Sequence, residues 1–559
     1  MDDLQQRTMT VLQGISERLR GSQSTTDLAL EVEKLAAQVE EPCVIAVVGR
    51  VKAGKSTFIN TLLGEDLAMV GTNETTATIN YFRYGTPEPQ RPIRCHWRGG
   101  QVTDESRAFL DGLQGKDIET LRRADGIDYL DYFLPLAFLK QVTLVDTPGT
   151  EAVVSEHQHR TAEYLRLSGQ LRERQASETR HLSHNADAVI YLVGEVGKAN
   201  DQALLDEFTK VAGGDARALN AIGVMARIDL QLEIIDRRVE LSQKIARQLQ
   251  DSLNTVVPVS AMIYREHGRL TAAGGGGLVK LIETLERIPA ARLTMLLKNP
   301  KFFRDYDFTD CPVTKEERRA LLGETDWAVF TAIAREAARP GADVGAVAAR
   351  LKEIAGFEPL REILKRHFME RGHILRCHRI IRDVKAVLDE IRFTRLRHLR
   401  DRSHEEKCRL ERFLGVIPLA GCDVRAAREL ENFLREKLDT SGEVRRLEAL
   451  WEELDEMRSG LAHELNEHNA DFEALQLLEA DDRTFSAPEL DELRALFGRY
   501  GLGVQDRIAV SESRREYVRE RQLAWGLARS EARIGSVRRA VAERAFTRYG
   551  LILEELSAS

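Results

Sequence analysis

The stretch Gly49-Arg50-Val51-Lys52-Ala53-Gly54-Lys55-Ser56-Thr57 carries a glycine turn, a lysine and two hydroxyls at the spacing G-x-x-x-x-G-K-[ST]. That spacing suits one chemistry, the holding of a polyphosphate. Successive backbone N–H groups and a helix N-terminus point at the anion. Lys55 would neutralise the β- and γ-phosphates, and Ser56 would hold Mg²⁺. The apolar run Cys43–Val48 before it reads as a buried strand, and residues 56–63 after it read as a helix.

Further residues complete such a site in chain order. Asp146-Thr147-Pro148-Gly149 follows the apolar run Val142–Val145. In isolation that tetrad is a common turn. Behind a phosphate loop it puts the Asp146 carboxylate near Mg²⁺ and the Gly149 N–H near the γ-phosphate, which makes the following segment a switch. Thr76, or less favourably its neighbour Thr75, would complete the Mg²⁺ shell and order the attacking water; otherwise both are loop residues before a strand. A base-reading box [NT]-K-x-D is expected after a later strand. Ala226-Arg227-Ile228-Asp229 stands there, with alanine for Asn or Thr and arginine for lysine. Asp229 would accept from N1 and N2 of guanine, which adenine cannot supply, while Arg227 stacks on the base. Ser260-Ala261 follows a further strand and fits a box that lets a backbone N–H reach guanine O6.

The elements that must position these residues follow from periodicity. Leu4, Val11, Leu12, Ile15 and Leu19, then Leu28, Val32, Leu35 and Val39, recur at helical spacing over residues 1–40. Strand candidates at 44–48, 78–83, 141–145, 188–193, 221–225 and 255–258 alternate with helices, which predicts a mainly parallel sheet covered on both faces. Gly274–Gly277 reads as a flexible turn before another helix. Beyond it the chain reads as helix. One continuous rod over about 358–412 would be on the order of 80 Å long, and helical stretches follow at roughly 423–480 and 487–556.

Composition bounds the function. The 559 residues imply two or three domains, and 43% hydrophobic with 30% charged residues suits a helix-rich protein. A net charge of −8 argues against a general nucleic-acid binder. The six cysteines form no C-x-x-C pair and read as reduced thiols of a cytosolic protein. The polar start, Met1–Gln6, does not read as a signal peptide, and no apolar run is long enough for a transmembrane helix.

With these motifs assembled, the chain resembles the dynamin superfamily, in particular bacterial dynamin-like proteins. The resemblance is carried by Gly49–Thr57 with Phe58–Gly64 after it, by Thr76–Ile79 leading to Arg83-Tyr84-Gly85, by Asp146–Gly149 and by Asp229. Ala355-Gly356-Phe357-Glu358-Pro359-Leu360 is similar to the S-G-F-x-x-L segment that opens the last helix before a stalk. The roughly hundred residues between phosphate loop and D-T-P-G also suit that family's enlarged domain. The motifs cover only the middle of the chain. One departure stands in the loop, where eukaryotic dynamins carry Gln-Ser in place of Val51-Lys52 and the serine helps hold a monovalent cation. Lys52 cannot ligate a cation, but its ammonium could replace one; otherwise it is a solvated lysine.

Other signals are weaker. Leu167-Ser168-Gly169-Gln170 matches a transporter-ATPase signature, but the next apolar strand lacks the Asp-Glu end those enzymes need. His373 and Cys377 share a helix face without further metal ligands, and His157 and His159 read as surface-loop residues. The apolar stretch Phe413–Gly421 follows Arg392, Arg395, Arg397, Arg400 and Arg402. It could press into an anionic bilayer or pack as a turn of its own bundle. Phe302-Phe303 is a lesser candidate.

The expectation is therefore an α/β P-loop GTPase head, its mainly parallel sheet flanked by helices, on a long α-helical neck and stalk bundle. Residues 1–40 would form neck helices and 41–365 the GTPase domain, with a helical insertion about 290–345. Residues 366–486 would form the stalk, with a membrane-contacting tip near 413–421, and 487–559 would be helices returning to the neck. The resemblance implies GTP/GDP and Mg²⁺ as cofactors. It also implies head-to-head self-association, a higher oligomer or a paralogous dynamin-like partner, and peripheral attachment to anionic membrane from the cytoplasm, with no nucleic acid. The alternative is a nucleotide-switched helical scaffold that binds proteins; an ATPase with a helical arm requires discounting Asp229.

Overall fold

The computed structural model describes the chain except residues 1–2, 50–52, 65–77, 87–90, 107, 110–112, 114–122, 124, 147–185, 194–219, 250–252, 417–423, 438–440, 481–483, 509, 511–512 and 559. The chain divides into two compact units, Pro42–Leu375 and a second built from Met1–Glu41 with Arg376–Ser559.

The first unit is built on a sheet of nine described strands. They are β1 (Cys43–Gly49), β2 (Ile79–Tyr84), β3 (Ile93–Trp97), β4 (Val102–Glu105), β5 (Ile127–Leu134), β6 (Val142–Asp146), β7 (Ala188–Val193), β8 (Ala221–Met225) and β9 (Val256–Pro258). The order across the sheet is β4-β3-β5-β2-β6-β1-β7-β8-β9. From β6 to β9 every pairing is parallel. β1 is buried on both faces, with Ile45 and Val47 in one core and Ala46 and Val48 in the other. Strands buried on both sides read as continuous apolar runs, which is why these were legible.

The other half of the sheet is mixed. β2 runs antiparallel to β6, and β3 runs antiparallel to both β4 and β5. The sequence candidates omitted β3, β4 and β5. β5 contains Asp128 and Asp131, which break an apolar pattern. Asp131 is nevertheless buried, its charge met by Arg83 Nε at 2.6 Å and His96 Nε2 at 3.0 Å.

A third core lies in the helices from Ala261 to Ala355. Gly274 and Gly275 both take positive φ, +79° and +83°. A Cβ on Gly277 would lie 3.2 Å from Leu270 Cα. In a straight helix residues seven apart are about 10 Å apart along the axis. The stretch Ala261–Glu286 is therefore folded back on itself at the glycines, a turn inside a helical run. The fully buried Arg318 organises one end of this core: Nε donates to the Phe303 carbonyl at 2.8 Å, Nη1 to the Val313 carbonyl at 2.5 Å and Nη2 to the Tyr306 carbonyl.

The single rod over 358–412 is corrected. Phe357–Leu364 and the wider turn Lys365–Met369 end at Glu370-Arg371, and a new helix, Gly372–Glu390, begins. Gly372 packs so close to Cys43 that a Cβ would meet the Cys43 Cβ at 2.8 Å. Leu360, Leu364 and Phe368 join the core under the sheet rather than lining a stalk. A second wide turn, Ile391–Arg395, precedes the helix Leu396–Val416. Most of the apolar stretch 413–421 lies outside the described residues.

In the second unit the helix Asp3–Arg20 lies along the helix Ser441–Ala480. Arg7 pairs with Glu464 at 2.6 Å, Gly14 faces Met457, and Arg18 pairs with Glu453 at 2.5 Å. The partners step in opposite directions by equal amounts, so the helices are antiparallel. Arg395 clamps Asp27 through both carboxylate oxygens, at 2.9 and 2.5 Å. Deeper in the bundle, Arg507, Arg544 and Arg548 converge on the buried Asp471 at 2.7, 2.8 and 2.9 Å. Among the described residues no helix is long and apolar enough to cross a membrane.

Candidate nucleotide site

The candidate residues collect where the parallel strands end, the usual position of ligands on such sheets. β1 ends at Gly49, β6 at Asp146, and the segments after β8 and β9 carry Arg227–Asp229 and Ser260-Ala261. A Cβ on Gly49 would lie 3.0 Å from Leu192 Cβ, so the end of β1 packs tightly against β7. Gly54 takes φ +89° and opens the helix Lys55–Leu63, so a left-handed residue turns the chain directly into a helix start. Phe58, Ile59, Leu62 and Leu63 bury that helix in the core and fix its axis.

Lys55 Nζ lies 2.5 Å from Asp146 Oδ1, and both side chains are largely buried. Val47 and Asp146 are register partners, so strand pairing carries the carboxylate to the loop. Asn80 pairs with Asp146 from the other side. Tyr132, on β5, has its phenol pushed up by burial and then by the Asp146 charge. Neither Asn80 nor Tyr132 was singled out from sequence, and a buried asparagine within Thr78-Ile79-Asn80-Tyr81 was the available signal. The hydroxyl of Ser56 and the carboxylate of Asp146 are hard oxygen donors of the kind Mg²⁺ takes.

On the base side, Arg227 takes φ +59°, left-handed and uncommon for a non-glycine residue. Its stem passes over Gly54, where a Cβ would meet Arg227 Cγ at 3.3 Å. The Arg227 stem thus rests on Gly54, a contact that two motifs far apart in sequence do not announce. Asp229 is buried and accepts from Ser260 Oγ at 2.5 Å; Ser260 Oγ in turn accepts from the Ile263 N–H at 3.0 Å. Ala261 begins the following helix. The structure therefore joins Gly54, Lys55, Asp146 and Arg227, and joins Asp229 to Ser260. Val51, Lys52, Thr75, Thr76 and Gly149 lie outside the described residues.

Residues 45–206, from β1 past β7, match the family model described as the dynamin family. The chain thus carries a dynamin-family segment in its first unit. Isoniazid-induced protein IniC of Mycobacterium tuberculosis is 30% identical over 269 residues, which cover 46% of this chain and 50% of that protein. The chain thus spans about half the length of that curated relative. Bacterial dynamin-like protein of Nostoc punctiforme is 30% identical over 115 residues, 19% of this chain and 16% of its own. A solved structure of an oligomerised bacterial dynamin pair, described as sensing and tethering membranes, aligns over 99% of this chain and 86% of that one. Its TM-score is 0.34 and its identity 14%, too loose a likeness to carry an argument. The fold of the chain is a mainly parallel mixed sheet with flanking helices and a long helical region.

Proposed function

We propose that the chain hydrolyses GTP with Mg²⁺ as a dynamin-type mechanochemical protein, pairing through its heads and acting at a membrane surface. The observation that carries the reading is the Lys55–Asp146 pair at the mouth of a phosphate loop inside the dynamin-family match. Gly49–Thr57 would bind the triphosphate, with Lys55 on its outer phosphates. Ser56, Asp146 and Thr76 would hold Mg²⁺, and Gly149 would sense the γ-phosphate. Arg227, Asp229, Ser260 and Ala261 would read guanine, and Lys52 would stand in for a cation in the transition state.

Membrane binding draws support from the second unit. The helix Val424–Lys437 exposes Leu430 and Phe433, each more than half accessible, beside Arg425, Arg428 and Arg435. An apolar stripe beside arginines, two of them paired with Glu429 and Glu431, can lie at the interface of an anionic bilayer. The attachment is peripheral and the self-partner is a second head or a paralogous dynamin-like chain.

The test is hydrolysis of GTP against ATP as protein concentration rises from well below to well above micromolar, with and without anionic liposomes. Specific activity should climb with concentration and with liposomes. Flat activity per mole would remove head pairing. GTP-dependent binding of proteins without liposome co-sedimentation would favour a nucleotide-switched scaffold instead.

A further inference from the structure

We propose that Gly356 is a positioning residue for base recognition, tying Asp229 to the helix Phe357–Leu364. The inference rests on the reading that Asp229 meets guanine. Ser260 is the middle of the connection and is fully buried. Its hydroxyl donates to Asp229 Oδ1 at 2.5 Å, and its N–H donates to the Ala355 carbonyl at 3.0 Å. Ala355 ends one helix, and Gly356 turns the chain directly into the next.

That turn is pressed against the segment carrying Ser260. Gly356 takes φ +73°, and a Cβ there would stand 2.1 Å from the Pro258 carbonyl oxygen and 3.4 Å from Val259 Cα. Asparagine tolerates the left-handed backbone, but no side chain tolerates that distance. The far side of the turn is equally fixed. Phe357 is fully buried, 4.7 Å from the Tyr264 ring and 6.0 Å from Phe58 on the phosphate-loop helix. Arg361 Nη1 donates to the Tyr264 hydroxyl at 2.7 Å. Asp229 thus keeps its place only while Ser260 does, and Ser260 only while the 355–356 turn stays against Pro258. Coupling of this kind is reciprocal: occupancy of the base pocket restrains the helix Phe357–Leu364, and displacement of that helix loosens the hold on the base.

The experiment is a titration of GDP and ADP, each with Mg²⁺, into the full chain and into G356A, with folding checked by thermal melting. The expected result is a GDP-over-ADP preference lowered at least about tenfold in G356A, with ADP affinity nearly unchanged. Equal losses for both nucleotides would mean a general scaffolding role, and an unchanged preference would mean no role; either overturns the inference. Should G356A fail to fold, amide hydrogen exchange on the parent decides. GDP should slow exchange over residues 355–364 more than saturating ADP does, and identical protection overturns the proposal. A parent chain that binds GDP and ADP equally well would instead remove the base reading itself, before any variant is compared.

Discussion

Lys55 and Asp146 are held 2.5 Å apart across the ends of β1 and β6, both side chains largely out of water. On the proposed reading, the ammonium that would meet the phosphates is engaged by the carboxylate that would meet Mg²⁺. Nucleotide and metal would then have to separate this pair. Lys55→Ala should lower nucleotide affinity by roughly ten- to hundredfold or more, the worth of a charge-assisted contact. Asp146→Asn should keep metal-free GDP affinity, because it releases Lys55, while the gain from adding Mg²⁺ collapses. Calorimetric titration with Mg²⁺ and with a chelator separates the two; an undiminished Mg²⁺ effect in Asp146→Asn would take this carboxylate out of the metal site.

Asp229→Asn should lower the preference for GTP over ATP by roughly two orders of magnitude. A buried acceptor matched to two guanine donors rejects a base lacking them far more strongly than an apolar pocket would. Asp229 is buried and fixed by Ser260, so water cannot easily take its place. Competition between the two nucleotides measures the ratio, and an unchanged ratio would assign the discrimination elsewhere.

The helical unit depends on Asp471. Burial alone would raise its pKa, but Arg507, Arg548 and Arg544 outweigh it and hold the carboxyl below its ordinary value of 3.8. A depressed folded-state pKa contributes stability above the unfolded value and loses it as pH falls through the folded one. Asp471→Asn should cost about 3–5 kcal/mol near neutral pH, because it leaves buried arginines uncompensated. The parent's stability should fall in strong acid, and the variant should flatten that dependence. Denaturant unfolding from neutral pH down to about pH 2 reads both effects.

Phe433→Asp should weaken binding to anionic liposomes and leave basal GTP hydrolysis as it was. The ring is 53% exposed, so the substitution costs little in water. A carboxylate carried into the acyl boundary costs on the order of a few kcal/mol. Co-sedimentation at physiological salt is the measurement; retained binding would clear this helix of membrane contact.

The strands β1, β6, β7, β8 and β9 were legible because burial on both faces leaves an uninterrupted apolar run, and the boxes sit at their ends. Of the mixed half, β2 was legible as the candidate 78–83, and β3, β4 and β5 were not. β5 carries an aspartate whose burial is possible only through Arg83 and His96, supplied by β2 and β3. The break at Glu370-Arg371 was hidden because the apolar spacing through Leu360, Leu364, Phe368 and Leu375 continues across it. The contacts of Gly356 with Pro258 and of Arg227 with Gly54 join segments distant in sequence, and no local pattern encodes them.

The second unit takes its helices from both sides of the head: Met1–Glu41 belongs with Arg376–Ser559. On a ribosome the intervening Pro42–Leu375 takes on the order of half a minute to emerge, at about 5–20 residues per second. The head is contiguous and can fold during that interval. The helix Asp3–Arg20 can meet Thr26–Ala36 at once, as Ser16 meets Glu33, but its partners on Ser441–Ala480 have yet to be translated. The face of that helix where Arg7, Gly14 and Arg18 meet their partners therefore waits while the head matures. Completion of the helical unit is thus timed by synthesis of the last third of the protein.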